Sequence, residues 1–161
     1  PRLNETPLSL VSRLAAEKGQ AVKAKLASKQ TLTDDTVILA SDTLIAFNGQ
    51  SVGKPENKAD AKRILTMLSG NTHEVLTAIS VLNNTRQQTQ VITTSVTFAA
   101  LTDEQITAYW ETGEPADKAG SYAIQGIGGE FVVSINGSAS AVIGLPLYET
   151  RQLLNEFGVV S

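Results

Sequence analysis

A chain of 161 residues with 42% apolar and 18% charged residues has the size and composition of one globular domain, and we read residues 1–161 as such. The formal net charge of −3 disfavours a nucleic-acid polymer as partner, and no apolar run is long enough to cross a bilayer. The lack of cysteine excludes disulfides and thiolate metal sites and fits a cytoplasmic protein, while the absence of a basic excess leaves a small phosphorylated ligand as the expectation.

In chain order, Thr6-Pro7 reads as a helix start, and Leu8, Val11, Leu14, Ala15, Val22 and Leu26 recur at helical spacing to about Ala27. Thr36–Ala40 is short, apolar and partly β-branched, as a buried strand would be. Asn48-Gly49, after Leu44–Phe47, is a hairpin turn signal. Ala61, Ile64, Leu65 and Leu68 mark a second helix closed by Gly70. Two strand-like runs follow, Glu74–Leu82 and Val91–Ala99, joined around Asn83-Asn84. Thr102 to Gln105 forms a capping box opening a third helix that ends near Gly113. Pro115–Gly129, rich in glycine and charge, predicts an ordered functional loop. Phe131–Ile135 is a further strand, and a last helix starts after Pro146. The sum is α/β, with a mixed sheet whose strands are joined by hairpins as well as helices.

Four places could carry chemistry. Ser41-Asp42-Thr43 reads as following directly on a strand that ends at Ala40, where open α/β sheets gather ligands. A carboxylate there can take a proton from water or hold a hard cation, although taken alone Asp42 is more simply a turn cap. Lys54, between Gly53 and Pro55, can deliver an ammonium to phosphate, but the segment is not a P-loop and a solvated lysine is the plainer reading. Asp117-Lys118, on a loop bounded by Gly and Pro, pairs a phosphate-binding cation with an orienting or metal-holding carboxylate, or is merely a surface ion pair. In Ile124-Gln125-Gly126-Ile127-Gly128-Gly129 the glycines permit close approach of the backbone to a ligand, or serve a tight turn. The Gln125 amide offers a donor and an acceptor, which suits the imide edge of uracil or thymine as well as other bases. His73, the one histidine, reads as structural, and Phe98, Tyr109 and Trp110 as core or interface residues.

Taken in order, Ser41-Asp42-Thr43, Gly53-Lys54-Pro55, Met67–His73, Gly113–Gly128 and Val142–Leu147 resemble the Maf family across nearly the whole chain, with Arg13–Lys18 similar to the family's early helix. The resemblance implies an elongated mixed β-sheet in two lobes with flanking helices, as in inosine triphosphate pyrophosphatases, with the site in the cleft between the lobes. It further implies a homodimer, a divalent metal cation (Mg or Mn) of unassigned ligands, and a nucleoside triphosphate substrate cut to the monophosphate and pyrophosphate. The stretch from Asp117 to Gly126 looks like the subgroup acting on dTTP, UTP and related modified pyrimidine nucleotides. Asp42 matches the family's proton acceptor. Thr43 and Gln125 match positions tied to substrate choice, and Lys18, Lys54 and Lys118 match basic residues lining the cleft, with Asp117 beside Lys118. The family's opening strand and Ser-x-Ser-Pro-Arg-Arg loop have no counterpart here, which keeps a second expectation in view: a non-catalytic nucleotide-binding regulator of septum formation and cell division.

Overall fold

A computed structural model of the chain describes residues 2–159. Five strands form one sheet: β1 (Ile38–Phe47), β2 (Gln50–Val52), β3 (Thr72–Leu82), β4 (Gln87–Phe98) and β5 (Val132–Asn136), in the order β2-β1-β3-β4-β5. The expected α/β architecture of a sheet flanked by helices is present. In place of mixed pairing, all four described pairings are antiparallel. The β1–β2 hairpin turns through Asn48 and Gly49, both at positive φ as a two-residue turn requires.

The main departure from expectation is β1. It does not stop at Ala40 but continues through Ser41-Asp42-Thr43 to Phe47. Every residue from Ile38 to Ala46 has a partner on β3, so the ladder overrides the local polarity of the triplet.

Side chains alternate between the two faces of a strand, and this alternation places the helices. On one face α1 (Pro7–Ser28), capped by the Thr6 hydroxyl, lays Leu10, Val11 and Ala15 against Leu44, Ala46, Leu76 and Ala78. The opposite face carries two clusters. Helices α2 (Lys58–Leu68) and α3 (Asp103–Glu111) bring Ile64, Leu65, Leu68, Ile106 and Tyr109 onto Ile45, Val75, Val96 and Phe98. Helix α5 (Leu147–Glu156) brings Leu153, with Phe157 beyond its end, onto Ile79 and Val81. Val75 and Ile79 lie on one face of β3 with Thr77 between them, so the two clusters divide that face into lobes about Thr77. Over this gap sits α4 (Ala139–Ile143), a single turn that the sequence reading passed over. Its Ser138 cap accepts from Ala141 N at 3.1 Å.

His73 lies at the first cluster and is 1% exposed. Its Nε2 is 2.7 Å from the Tyr122 hydroxyl, and its ring meets Phe98 edge-on at 5.0 Å. Its role is structural, as the sequence reading expected. Burial pushes its pKa down to about 4, against about 6.5 for a free imidazole. The unfolded chain therefore takes up a proton between these values while the native chain does not. Stability is full above about pH 6.5 and falls by about 3 kcal/mol as pH drops toward 4. With one histidine in the chain, a single imidazole resonance reports the titration: its NMR midpoint is expected near pH 4, and a midpoint above pH 6 would contradict the buried neutral ring.

Candidate active site

A cleft of about 380 Å³ opens between the lobes, lined by Thr43 and Ile45 from β1, Val75 from β3, and Lys118, Tyr122 and Gln125 from the loop between α3 and β5. Three of the residues singled out in the sequence, Thr43, Lys118 and Gln125, thus meet in one place. Lys54 stands on the loop after β2. Gly53 in that loop accepts a hydrogen bond from Gly120 N at 3.1 Å, which seats the lysine's loop beside the Lys118 turn. Asp117 pairs with Lys118 at 3.3 Å and is otherwise largely exposed.

Asp42 and Lys18 are elsewhere. Asp42 follows the alternation onto the α1 face, opposite Ala78 on β3. There the Lys18 ammonium reaches Asp42 Oδ1 at 2.5 Å and the Ser41 carbonyl at 3.4 Å. The carboxylate is therefore not beyond a strand end, as expected, but in mid-strand with its back to the cleft. It is still within reach of a ligand. Strand β2 pairs only with Ile45 to Phe47, so along Ile38–Leu44 the far edge of β1 has no described strand beside it. A ligand seated at Thr43 can pass over this edge to Asp42, one residue away.

The loop from Gly113 to Phe131 is held by a device the sequence reading missed. The Glu114 carboxylate accepts from Ile127 N and Gly128 N, each at 3.0 Å, and from the Tyr109 hydroxyl. The Tyr109 oxygen in turn accepts from Ala123 N at 3.1 Å. Both ends of the turn that carries Gln125 are thus tied to one carboxylate–phenol pair. The glycines, expected to admit a ligand, instead admit this clamp. A Cβ on Gly126 would lie 1.8 Å from Glu114 Oε1, and one on Gly128 would lie 2.5 Å from the Tyr109 hydroxyl oxygen. Burial opposes ionisation of Glu114, but the hydrogen bonds from Tyr109, Gly128 and Ile127, with the charge of Lys118, hold its pKa below the usual glutamate value. Burial, and then the adjoining carboxylate, push Tyr109 upward. The sequence signal was an acidic residue directly after the helix-ending Gly113. It pointed to no partner, because the partners lie 13 and 14 residues further on.

Beneath the cleft, Thr43 Oγ1 lies 3.0 Å from Thr77 Oγ1, and Thr77 donates to the Ala141 carbonyl at 2.7 Å. Thr77 is fully buried, and the sequence reading gave it no role.

For a divalent cation, the described residues contain no group of three His, Asp or Glu side chains placed to hold one. They do not build a protein cage for it.

A two-lobed α/β protein whose cleft has an apolar floor, an amide and a hydroxyl at its centre and lysines on the flanking loops is a small-molecule site suited to a phosphorylated ligand. The chain belongs to the Maf family: the family model described as Maf-like protein matches residues 1–157. The chain is 53% identical over 157 residues to the dTTP/UTP pyrophosphatase of Colwellia psychrerythraea, covering 98% of this chain and 73% of that protein. It is 49% identical over 153 residues to the protein of the same name from Vibrio vulnificus, at 95% and 79% coverage. A third of that name, from Pseudoalteromonas atlantica, is 48% identical over 155 residues, at 96% and 79%.

The clamp makes a measurable claim. Glu114→Gln keeps the shape but removes the charge that three donors share. Hydrogen bonds to a charged group contribute about 1.5–3 kcal/mol, so the variant should lose about 2 kcal/mol in urea denaturation. Amide exchange at Ile127 and Gly128 should accelerate with it, and unchanged protection there would show that the clamp does not order the turn.

Proposed function

We propose that this protein is a nucleoside triphosphate pyrophosphatase that hydrolyses dTTP, UTP and related modified pyrimidine nucleotides to the monophosphate and pyrophosphate. The observation that carries this reading is the placement of Thr43 and Gln125 in one cleft, with Lys118 at its rim and the Lys18–Asp42 pair across an open strand edge. The names of the relatives, matched along nearly the whole chain, support it. The relatives' shared name favours this reading over a non-catalytic regulator of septum formation. We further propose that it works in the cytoplasm as a homodimer. No described helix is long and apolar enough to cross a membrane.

In this reading the base lies on the apolar floor made by Ile45, Val75 and Tyr122, and Gln125 addresses its polar edge. The triphosphate runs over the β1 edge, with Lys54 and Lys118 meeting its negative charge. Asp42, fixed by Lys18 through one oxygen, keeps Oδ2 to receive a proton from water. That water attacks the α-phosphorus in line. The bond from the α-phosphorus to the α,β-bridging oxygen breaks, the proton goes to Asp42, and pyrophosphate leaves. Asp117 orients Lys118. A divalent cation, Mg or Mn, would accompany the triphosphate and neutralise charge on its oxygens.

The test is product analysis with each common NTP and dNTP in the presence of magnesium or manganese. Monophosphate and pyrophosphate are expected from dTTP and UTP. Asp42→Asn, folded by circular dichroism, should lower kcat by roughly 10²–10⁴-fold, the usual range for a positioned proton acceptor. Full turnover by Asp42→Asn would remove it from this role.

A further inference from the structure

A hydroxyl that can rotate, or an amide that can flip, accepts either polarity of hydrogen bond. Gln125, exposed on its turn, therefore serves an imide edge in one orientation and a cytosine edge in the other. It cannot by itself separate uracil from cytosine. The Thr43 hydroxyl differs. Thr77 has one proton, and the Ala141 carbonyl, 2.7 Å away, can only accept it. In the 3.0 Å contact between the two threonines, Thr77 must then be the acceptor and Thr43 the donor. The Thr43 proton is committed to the protein, and toward the cleft its oxygen offers lone pairs alone.

We propose that Thr77 is a specificity-determining residue: by fixing the Thr43 hydroxyl as an acceptor, it makes the cleft select a base edge that presents an N–H at that point, the N3–H of uracil and thymine. This rests on the function proposed above and supplies its base discrimination. The Watson–Crick edges of uracil and thymine have a single donor, N3–H, between two carbonyls. Cytosine has a bare acceptor at N3, which would face the Thr43 lone pairs with no proton between them. Uridine and deoxythymidine nucleotides differ at the 2′-position, so a contact to the ribose 2′-hydroxyl could not select both, whereas an imide contact can.

Thr77 touches no ligand in this scheme and acts through Thr43, so its test is a ratio between substrates. kcat/KM for UTP and CTP, and binding of UMP and CMP by calorimetry, would be measured for the full chain, Thr77→Val and Thr77→Ser. The parent should prefer the uridine nucleotide. Thr77→Val frees the Thr43 proton and should cut that preference about ten-fold, through weaker UTP and stronger CTP binding, a free-energy change of about 1.4 kcal/mol. Thr77→Ser, which keeps the relay, should restore it. A UMP-to-CMP ratio unchanged in folded Thr77→Val overturns the proposal. Should Thr77→Val not fold, the parent with N3-methylated UMP decides: binding as tight as UMP overturns the proposal, and binding at least ten-fold weaker supports it. If the parent binds UMP over CMP but hydrolyses no triphosphate, the pyrophosphatase reading fails while the polarity relay stands. Absence of any pyrimidine preference in the parent overturns the relay even if hydrolysis is observed.

Discussion

The register between β1 and β3 is the constraint on which the rest of the molecule depends. From Ile38 opposite Leu82 to Ala46 opposite Glu74, each pair fixes which face its side chains take. Leu44, Ala46, Leu76 and Ala78 must lie under α1, because their burial there is what holds that helix to the sheet. Once they do, Thr43, Ile45, Val75 and Thr77 have no choice but the other face. A slip of one residue would turn the apolar set away from α1 and exchange the faces of Asp42 and Thr43. Hydrophobic burial of neighbouring residues such as Leu44 thus assigns Asp42 and Thr43 to opposite faces. The Lys18–Asp42 pair belongs to the face that α1 covers, and the base-sized cleft belongs to the face that the lobes leave open.

The same constraint explains what could be read from the sequence. Helix starts at Thr6 and Thr102, the Asn48-Gly49 turn and the apolar stripe of α2 are local signals, complete within a few residues. They were legible because a cap or a turn is satisfied by its own neighbours. β1 was cut short because Ser41-Asp42-Thr43 is locally turn-like. What keeps it extended is Ile79, Ala78 and Thr77 across the ladder, more than thirty positions away in the chain. The family resemblance grouped Asp42, Thr43 and Gln125 as expected site residues, but no pattern in the sequence could say that the first two face opposite ways. α4 escaped notice for a different reason: one turn of helix leaves too short a period to see.

Glu114 and Thr77 were given no role in the sequence reading, yet both order residues around the cleft, and they share one feature. Each ends its hydrogen-bond chain on the backbone: Glu114 on the N–H groups of Ile127 and Gly128, Thr77 on the carbonyl of Ala141. A side-chain partner could rotate and reverse its role, whereas a peptide N–H only donates and a peptide carbonyl only accepts. The direction of each chain is therefore fixed by backbone groups: no substitution removes the Ala141 carbonyl, and only proline removes an N–H. A buried network with a fixed direction is also well satisfied, which avoids the cost of an unpaired polar group under an apolar floor. In the proposed scheme the cleft tells nearly isosteric pyrimidines apart; size offers little to grip there, and the sign of a hydrogen bond is the larger difference. In that scheme, anchoring the sign to the backbone lets the apolar walls remain simple while the polar contacts carry the choice.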